Sequence, residues 1–286
     1  MDQPDFAGKQ PDGALDSGNR GPYFAVMTAE KSRGTRRGSS AAGTAAQWAG
    51  WKPALHSFAQ RAKATLGQVQ FSSGVRVGPV LLSRRLSRQQ RQALEFWIRR
   101  LPAAFQNRLP QLKLAVADQL NLVRGSVFIN ESPLLQKERP WEHPHAVSFI
   151  PERTVVLEAA LFRRRVELGR ILYHEFCHFV WPRLGNPKRR RFEALLQQEF
   201  RERVRGELGY SSEYRKLNLS AKKVSRTSPS SRRRRKLDYV CESFCDTGSF
   251  VLLGSERRKY HSEYTLSHAA RERRSRAWSE VVMEAG

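Results

Sequence analysis

A chain of 286 residues with a formal net charge of +24 and 40% hydrophobic residues is long enough to bury a sizeable core, yet a substantial fraction of it is not core. No stretch reaches the roughly 18 apolar residues of a membrane span, and the N-terminus lacks the charged start, apolar centre and cleavage site of a secretory signal. The three cysteines are odd in number and clustered, which suits reduced thiols better than a disulfide framework and makes the cytoplasm the default compartment.

In chain order, residues 1–45 are rich in Gly, Ser, Ala, Asp and Arg with almost no apolar clustering, the composition of a disordered arm. Residues 46–85 read as a linker, in which Trp48, Trp51, Leu55 and Phe58 recur at roughly helical spacing and mark a candidate short docking helix. From Leu86 to Val123 the pattern is mainly helical. Leu94, Phe96, Trp97, Ile98, Leu101 and Phe105 form one apolar patch, and Leu109 to Leu122 repeats it after Pro110.

Three short β-rich runs follow: Gly125 to Asn130, Val147 to Ile150 and Thr154 to Leu157, punctuated by Pro133, Pro140, Pro144 and Pro151. They predict a small sheet whose edge strand either pairs with an extended peptide through main-chain hydrogen bonds or forms a hairpin that only covers the core. His143 and His145 alternate along a proline-flanked segment and read as solvated loop histidines.

Val166 to Trp181 predicts one buried helix, ended by Pro182. Lys188 to Leu208 predicts a charged helix with Phe192, Leu195, Leu196, Phe200 and Val204 on one face. Ser220 to Lys236 has the Ser, Thr, Pro and Arg content of a flexible basic insertion. A second apolar run then opens at Tyr239 and continues to Leu253. Residues 86–286 are therefore expected to form a single α+β domain, mainly helical, with a small sheet before the central helix.

The buried helix carries His174-Glu175-Phe176-Cys177-His178. Residues four apart on a helix share a face, so His174 and His178 can each offer a ring nitrogen to one metal ion. Glu175 is rotated beside that face, where it can take a proton from a water polarised by the metal without ligating it. An open zinc site needs a third protein ligand. The second apolar run holds Glu242 and Asp246, also four apart: Glu242 is placed to bind the ion and Asp246 to accept the remaining ring N–H of a ligand histidine. Cys245, three residues after Glu242, is the alternative third ligand, because thiolate also binds zinc well.

The pair His174-Glu175-x-x-His178 and Glu242-x-x-x-Asp246 resembles the signature of gluzincin metallopeptidases, the thermolysin-like clan. That resemblance implies a zincin-like fold with one Zn2+ per chain, His174, His178 and Glu242 as ligands, Glu175 as base and Asp246 as orienter of a histidine. It also implies a peptide or protein substrate and a mixed sheet before the active-site helix. The separation between His178 and Glu242 exceeds that of thermolysin, although neprilysin-like members of the clan carry long insertions there. For the donor that stabilises a tetrahedral oxyanion, the candidates are His261 and Tyr264, downstream of the Glu242 helix.

Basic clusters at Arg163 to Arg165, Lys188 to Arg191, Arg232 to Lys236 and Arg271 to Arg276 favour an anionic partner, nucleic acid or an acidic surface, without sequence specificity. The alternative function is therefore a basic nucleic-acid-binding or scaffold protein with a structural or vestigial zinc site. A base at Glu175 discriminates between the two, because a structural site has no need of one.

Overall fold

The computed structural model describes residues 74–123, 126–129, 144–220, 228–259 and 264–284. The arm at 1–45, the candidate docking helix and His261 lie outside the described residues. The sheet begins at Gly74, inside the stretch expected to be linker. Strands β1 (Gly74–Val77) and β2 (Val80–Ser83) form an antiparallel pair whose turn uses Gly78 at φ +54°, a conformation that glycine adopts without a Cβ penalty.

Helix α1 (Arg88–Arg99) starts at a reciprocal cap in which the Ser87 side chain accepts from the Gln90 amide and the Gln90 side chain accepts from the Ser87 amide. A short helix α2 (Ala103–Gln106) follows. The next apolar run is not helical: it forms β3 (Leu112–Ala117) and β4 (Leu120–Val123), correcting the helix expected from Leu109 to Leu122. Leucines at 112, 114, 120 and 122 satisfy both a helical and a strand period. Backbone pairing of β3 with β2 on one side and β7 on the other selects the strand.

Strands β5 (Ser126–Ile129), β6 (Ala146–Phe149) and β7 (Thr154–Glu158) fall within the three expected β-rich runs or one residue outside them. The five-stranded sheet has the order β1-β2-β3-β7-β6, with β2, β3 and β7 parallel and an antiparallel strand at each edge. β4 and β5 make a separate hairpin. His145, expected in a solvated loop, instead lies at the base of β6 with Nδ1 2.5 Å from Glu158 Oε2.

Helix α3 (Arg165–Val180) is buried nearly all round, as its sequence requires of a central helix, and a single 3-10 turn containing Pro182 ends it. α1 is bound to it by the Trp97 indole N–H, which donates to the Arg165 carbonyl at 3.1 Å, and by the Tyr173 hydroxyl, which donates to the Trp97 carbonyl at 2.9 Å. Helix α4 (Asn186–Arg201) is shorter than expected and stops before Arg203, whose φ of +54° turns the chain. Helix α5 (Tyr210–Ser220) was not anticipated.

Helix α6 (Pro229–Leu252) begins ten residues before the expected apolar run. Its first turns contain Arg232 to Lys236, so that part of the supposed insertion is helix, while 221–227 lie outside the described residues. The signal was present in the sequence: Ser228 caps the helix by accepting from the Ser231 amide, and Pro229 occupies the first turn. Helix α7 (His268–Met283) closes the chain against α4 and α6.

Three of the basic clusters are largely solvent-facing, but Arg274 of the fourth is fully buried. Its guanidinium donates to Glu199 Oε2 at 2.8 Å, to both carboxylate oxygens of Glu207 and to Ser243 Oγ at 2.7 Å. The Tyr239 hydroxyl donates to Glu207 Oε1 at 2.7 Å, and Lys216 Nζ lies 2.8 Å from the same oxygen. Tyr239 and Ser243 flank Glu242, so this buried ionic network joins α4, α5 and α7 to the stretch of α6 that carries the acids. None of the described helices is long and apolar enough to cross a membrane.

Candidate metal centre

α3 and α6 pack against each other more extensively than any other helix pair, and this contact brings the two sequence motifs together. His174 Nε2 and His178 Nε2 lie 3.1 Å apart, and Glu242 Oε2 lies 3.3 Å from the first and 4.0 Å from the second. Ligand atoms about 2.0–2.1 Å from a tetrahedral ion are about 3.3 Å from one another. All three side chains are close to fully buried, and Glu242 Oε2 accepts no hydrogen bond. A ring nitrogen pair at this spacing can share one proton, and the same geometry, with the inner oxygen of Glu242 beside both rings, also suits three donors to one ion. His174, His178 and Glu242 are therefore a set that can hold a divalent metal.

The outer atoms of each ligand are occupied. His174 Nδ1 lies 2.9 Å from Asp246 Oδ1, and the other Asp246 oxygen accepts from the Ser212 amide at 3.1 Å. Glu242 Oε1 lies 3.0 Å from Arg215 Nη2. Ser212 and Arg215 are one turn apart on α5, matching the one-turn separation of Asp246 and Glu242 on α6. α5 thus holds both acids by their outer oxygens and leaves the inner oxygens facing the histidines. The arrangement resembles an anion seated at a helix N-terminus, since Asp246 sits over the first turn of α5.

Gly209, just before that turn, is required by the contact: a Cβ there would stand 2.4 Å from the Asp246 carboxyl. Gly209→Ala is expected to push α5 away and weaken metal binding by about 10–100-fold, the usual cost of losing a ligand's orienting partner. Competition with a chromophoric chelator measures it, and an unchanged affinity would rule out the clamp.

The electrostatics show a site built for positive charge. Burial alone would lower the His174 pKa, but the charge and hydrogen bond of Asp246, with Glu242, raise it to about 10. Burial pushes Glu242 upward, yet Arg215 and the two histidines bring it down to about 2. Asp246 is likewise held below the ordinary carboxylate range, its burial outweighed by His174 and Ser212.

Glu175 does not join this trio. Its Oε2 accepts a hydrogen bond of 2.5 Å from Ser148 Oγ, which places the carboxylate between α3 and the edge strand β6. Tyr264 packs in a separate cluster with Leu208, Phe250, Leu266 and Ala270, its ring edge-on to Phe250 at 4.9 Å. Three thiols border the site. Cys241 Sγ lies 3.7 Å from His178 Nδ1, Cys177 lies under Gly248, and Cys245 Sγ is within 4.8 Å of a ring nitrogen of each histidine. The oxygen set with Glu242 is the tighter of the two sets and contains the unsatisfied atom, which favours it over the sulfur set.

Ser148, Ser212, Arg215 and Gly209 went unseen in the sequence because each acts through a contact between segments far apart in the chain. Asp238, one turn before Glu242, was also missed. Burial raises its carboxyl to about 7 against the opposing effect of Arg215 and Arg234. The chain matches no protein-family model, no curated protein and no solved structure.

Proposed function

We propose that the protein is a zinc-dependent peptidase of zincin-like architecture, with His174, His178 and Glu242 holding one zinc ion and Glu175 acting as general base. The observation that carries this reading is the convergence of the three donor atoms within 4.0 Å of one another, with the Glu175 carboxylate on the adjoining residue held by Ser148. When bound, zinc supplies a Lewis acid that polarises a carbonyl and acidifies water. The side chains do the rest. Glu175 accepts the proton of the attacking water and delivers it to the leaving amine, Asp246 fixes the tautomer of His174, and Arg215 keeps one oxygen of Glu242 aimed at the ring nitrogens.

Strand β6 supports a peptide substrate. It is the last strand of the sheet, and no strand pairs with its outer edge among the described residues. An extended peptide added there in the manner of a further strand would run past Glu175, because Ser148 of β6 touches that carboxylate.

The test is metal analysis of the purified chain followed by digestion of a mixed peptide library, with and without chelator. One zinc per chain and chelator-sensitive hydrolysis are expected. Absence of stoichiometric zinc, with His174→Ala leaving every property unchanged, would overturn the reading.

A further inference from the structure

Resting on the metal reading above, we propose that Cys245 is a fourth protein ligand, so that the resting ion is held by His174, His178, Glu242 and the Cys245 thiolate. Cys245 follows Glu242 by three residues and shares its face of α6 toward α3. The side chain is fully buried, and its sulfur, with one rotatable bond, lies within 4.8 Å of a ring nitrogen on each histidine. Its hydrogen-bond partner is another sulfur, that of Cys241, which also faces the outer nitrogen of His178 at 3.7 Å. Cys241 thus steadies the far side of His178, and Cys245 is the thiol that groups with both histidines.

A divalent cation with one carboxylate and one thiolate ligand is a neutral centre. As the metal–sulfur bond forms, the thiol proton leaves to bulk water.

The consequence is a resting site closed by four protein ligands, the arrangement of structural zinc. Hydrolysis requires the thiolate to yield its position to water. One sulfur thereby separates a latent state from an active one in a site whose other three ligands do not change.

The experiment uses the full chain loaded with Co2+, whose visible ligand-field bands report binding and whose near-ultraviolet charge-transfer band reports a thiolate ligand. The expected result is both features in the native chain, with the charge-transfer band lost in Cys245→Ser, retained in Cys241→Ser, and ligand-field bands kept in both. Ligand-field bands without charge transfer in the native chain would overturn the thiolate ligand and leave the three-ligand site standing. A charge-transfer band that follows Cys241 instead of Cys245 would also overturn it. No cobalt uptake at all would overturn the metal reading on which it rests.

Discussion

Replacing Glu175 with Gln is expected to lower peptide hydrolysis by about 10²–10⁴-fold, the usual contribution of a positioned general base, while the chain keeps its metal. The separation of effects follows from the geometry. The Glu175 carboxylate is hydrogen-bonded to Ser148 rather than being one of the three donors, so an amide at this position leaves the ligand set intact and still accepts the Ser148 hydroxyl. What the amide cannot do is take a proton. Parallel measurement of zinc content and of kcat on one peptide substrate checks both halves. Full activity in Glu175→Gln would remove the carboxylate from the mechanism, and loss of zinc would mean that it helps to hold the ion.

The largest expected effect on stability is at Arg274. Arg274→Met leaves Glu199 and Glu207 buried without their shared cation and is expected to cost about 3–5 kcal/mol, read from the urea midpoint. Lys216 still faces Glu207, which keeps the loss from being larger. Adding Glu207→Gln to Arg274→Met should recover part of it, because a neutral amide is cheaper to bury than an unpaired carboxylate.

The network also sets an acid limit. Burial pushes the Glu207 carboxyl upward, but Arg274 and Lys216 more than offset this and hold it below the ordinary range. A depressed folded pKa contributes stability above the unfolded value of about 4.3, which disappears as pH falls through the folded value. The native chain should therefore lose stability steeply in that window, and Arg274→Met should lose less. Equal slopes for the two proteins would show that Glu207 does not carry the acid dependence.

The network and the site are physically connected. Tyr239 and Ser243 bind the Arg274 cluster on one side of α6, while Glu242 and Asp246 face the histidines on another. Gly248, in the same helix, allows close packing: a Cβ there would stand 2.4 Å from Cys177 Sγ and 2.7 Å from Trp278. A single stretch of α6 is thus fixed by α7, α5 and α3 together.

Local sequence was sufficient for the parts whose physics is local. The four-residue spacings of His174 with His178 and of Glu242 with Asp246 follow from helical periodicity, and the apolar runs around them require burial. The strands at 126–129, 146–149 and 154–158 announced themselves through β-branched residues and flanking prolines. The segment Leu109 to Leu122 did not, because its apolar spacing satisfies two periods and only the pairing of β3 with β2 and β7 selects one.

The basic stretch Arg232 to Lys236 resembled a loop by composition, although the Ser228 cap and Pro229 marked a helix start. Cap chemistry is local and legible, whereas composition averages it away. Arg274 could not be told from its solvated neighbours by any local rule, since its burial depends on Glu199 and Glu207 arriving from 75 and 67 residues away.

By itself, the sequence determined which residues could bind a metal and which could move a proton, since both follow from side-chain chemistry and helical spacing. Tertiary structure decided which of them meet. It brought Glu242 to the histidines, packed Tyr264 in a separate cluster, supplied Arg215, Ser212 and Ser148 as partners of the acids, and placed the Cys245 sulfur within 4.8 Å of a ring nitrogen of each histidine. Those outcomes depend on packing between segments far apart in the chain, where close approach at Gly209 and Gly248 sets what touches what.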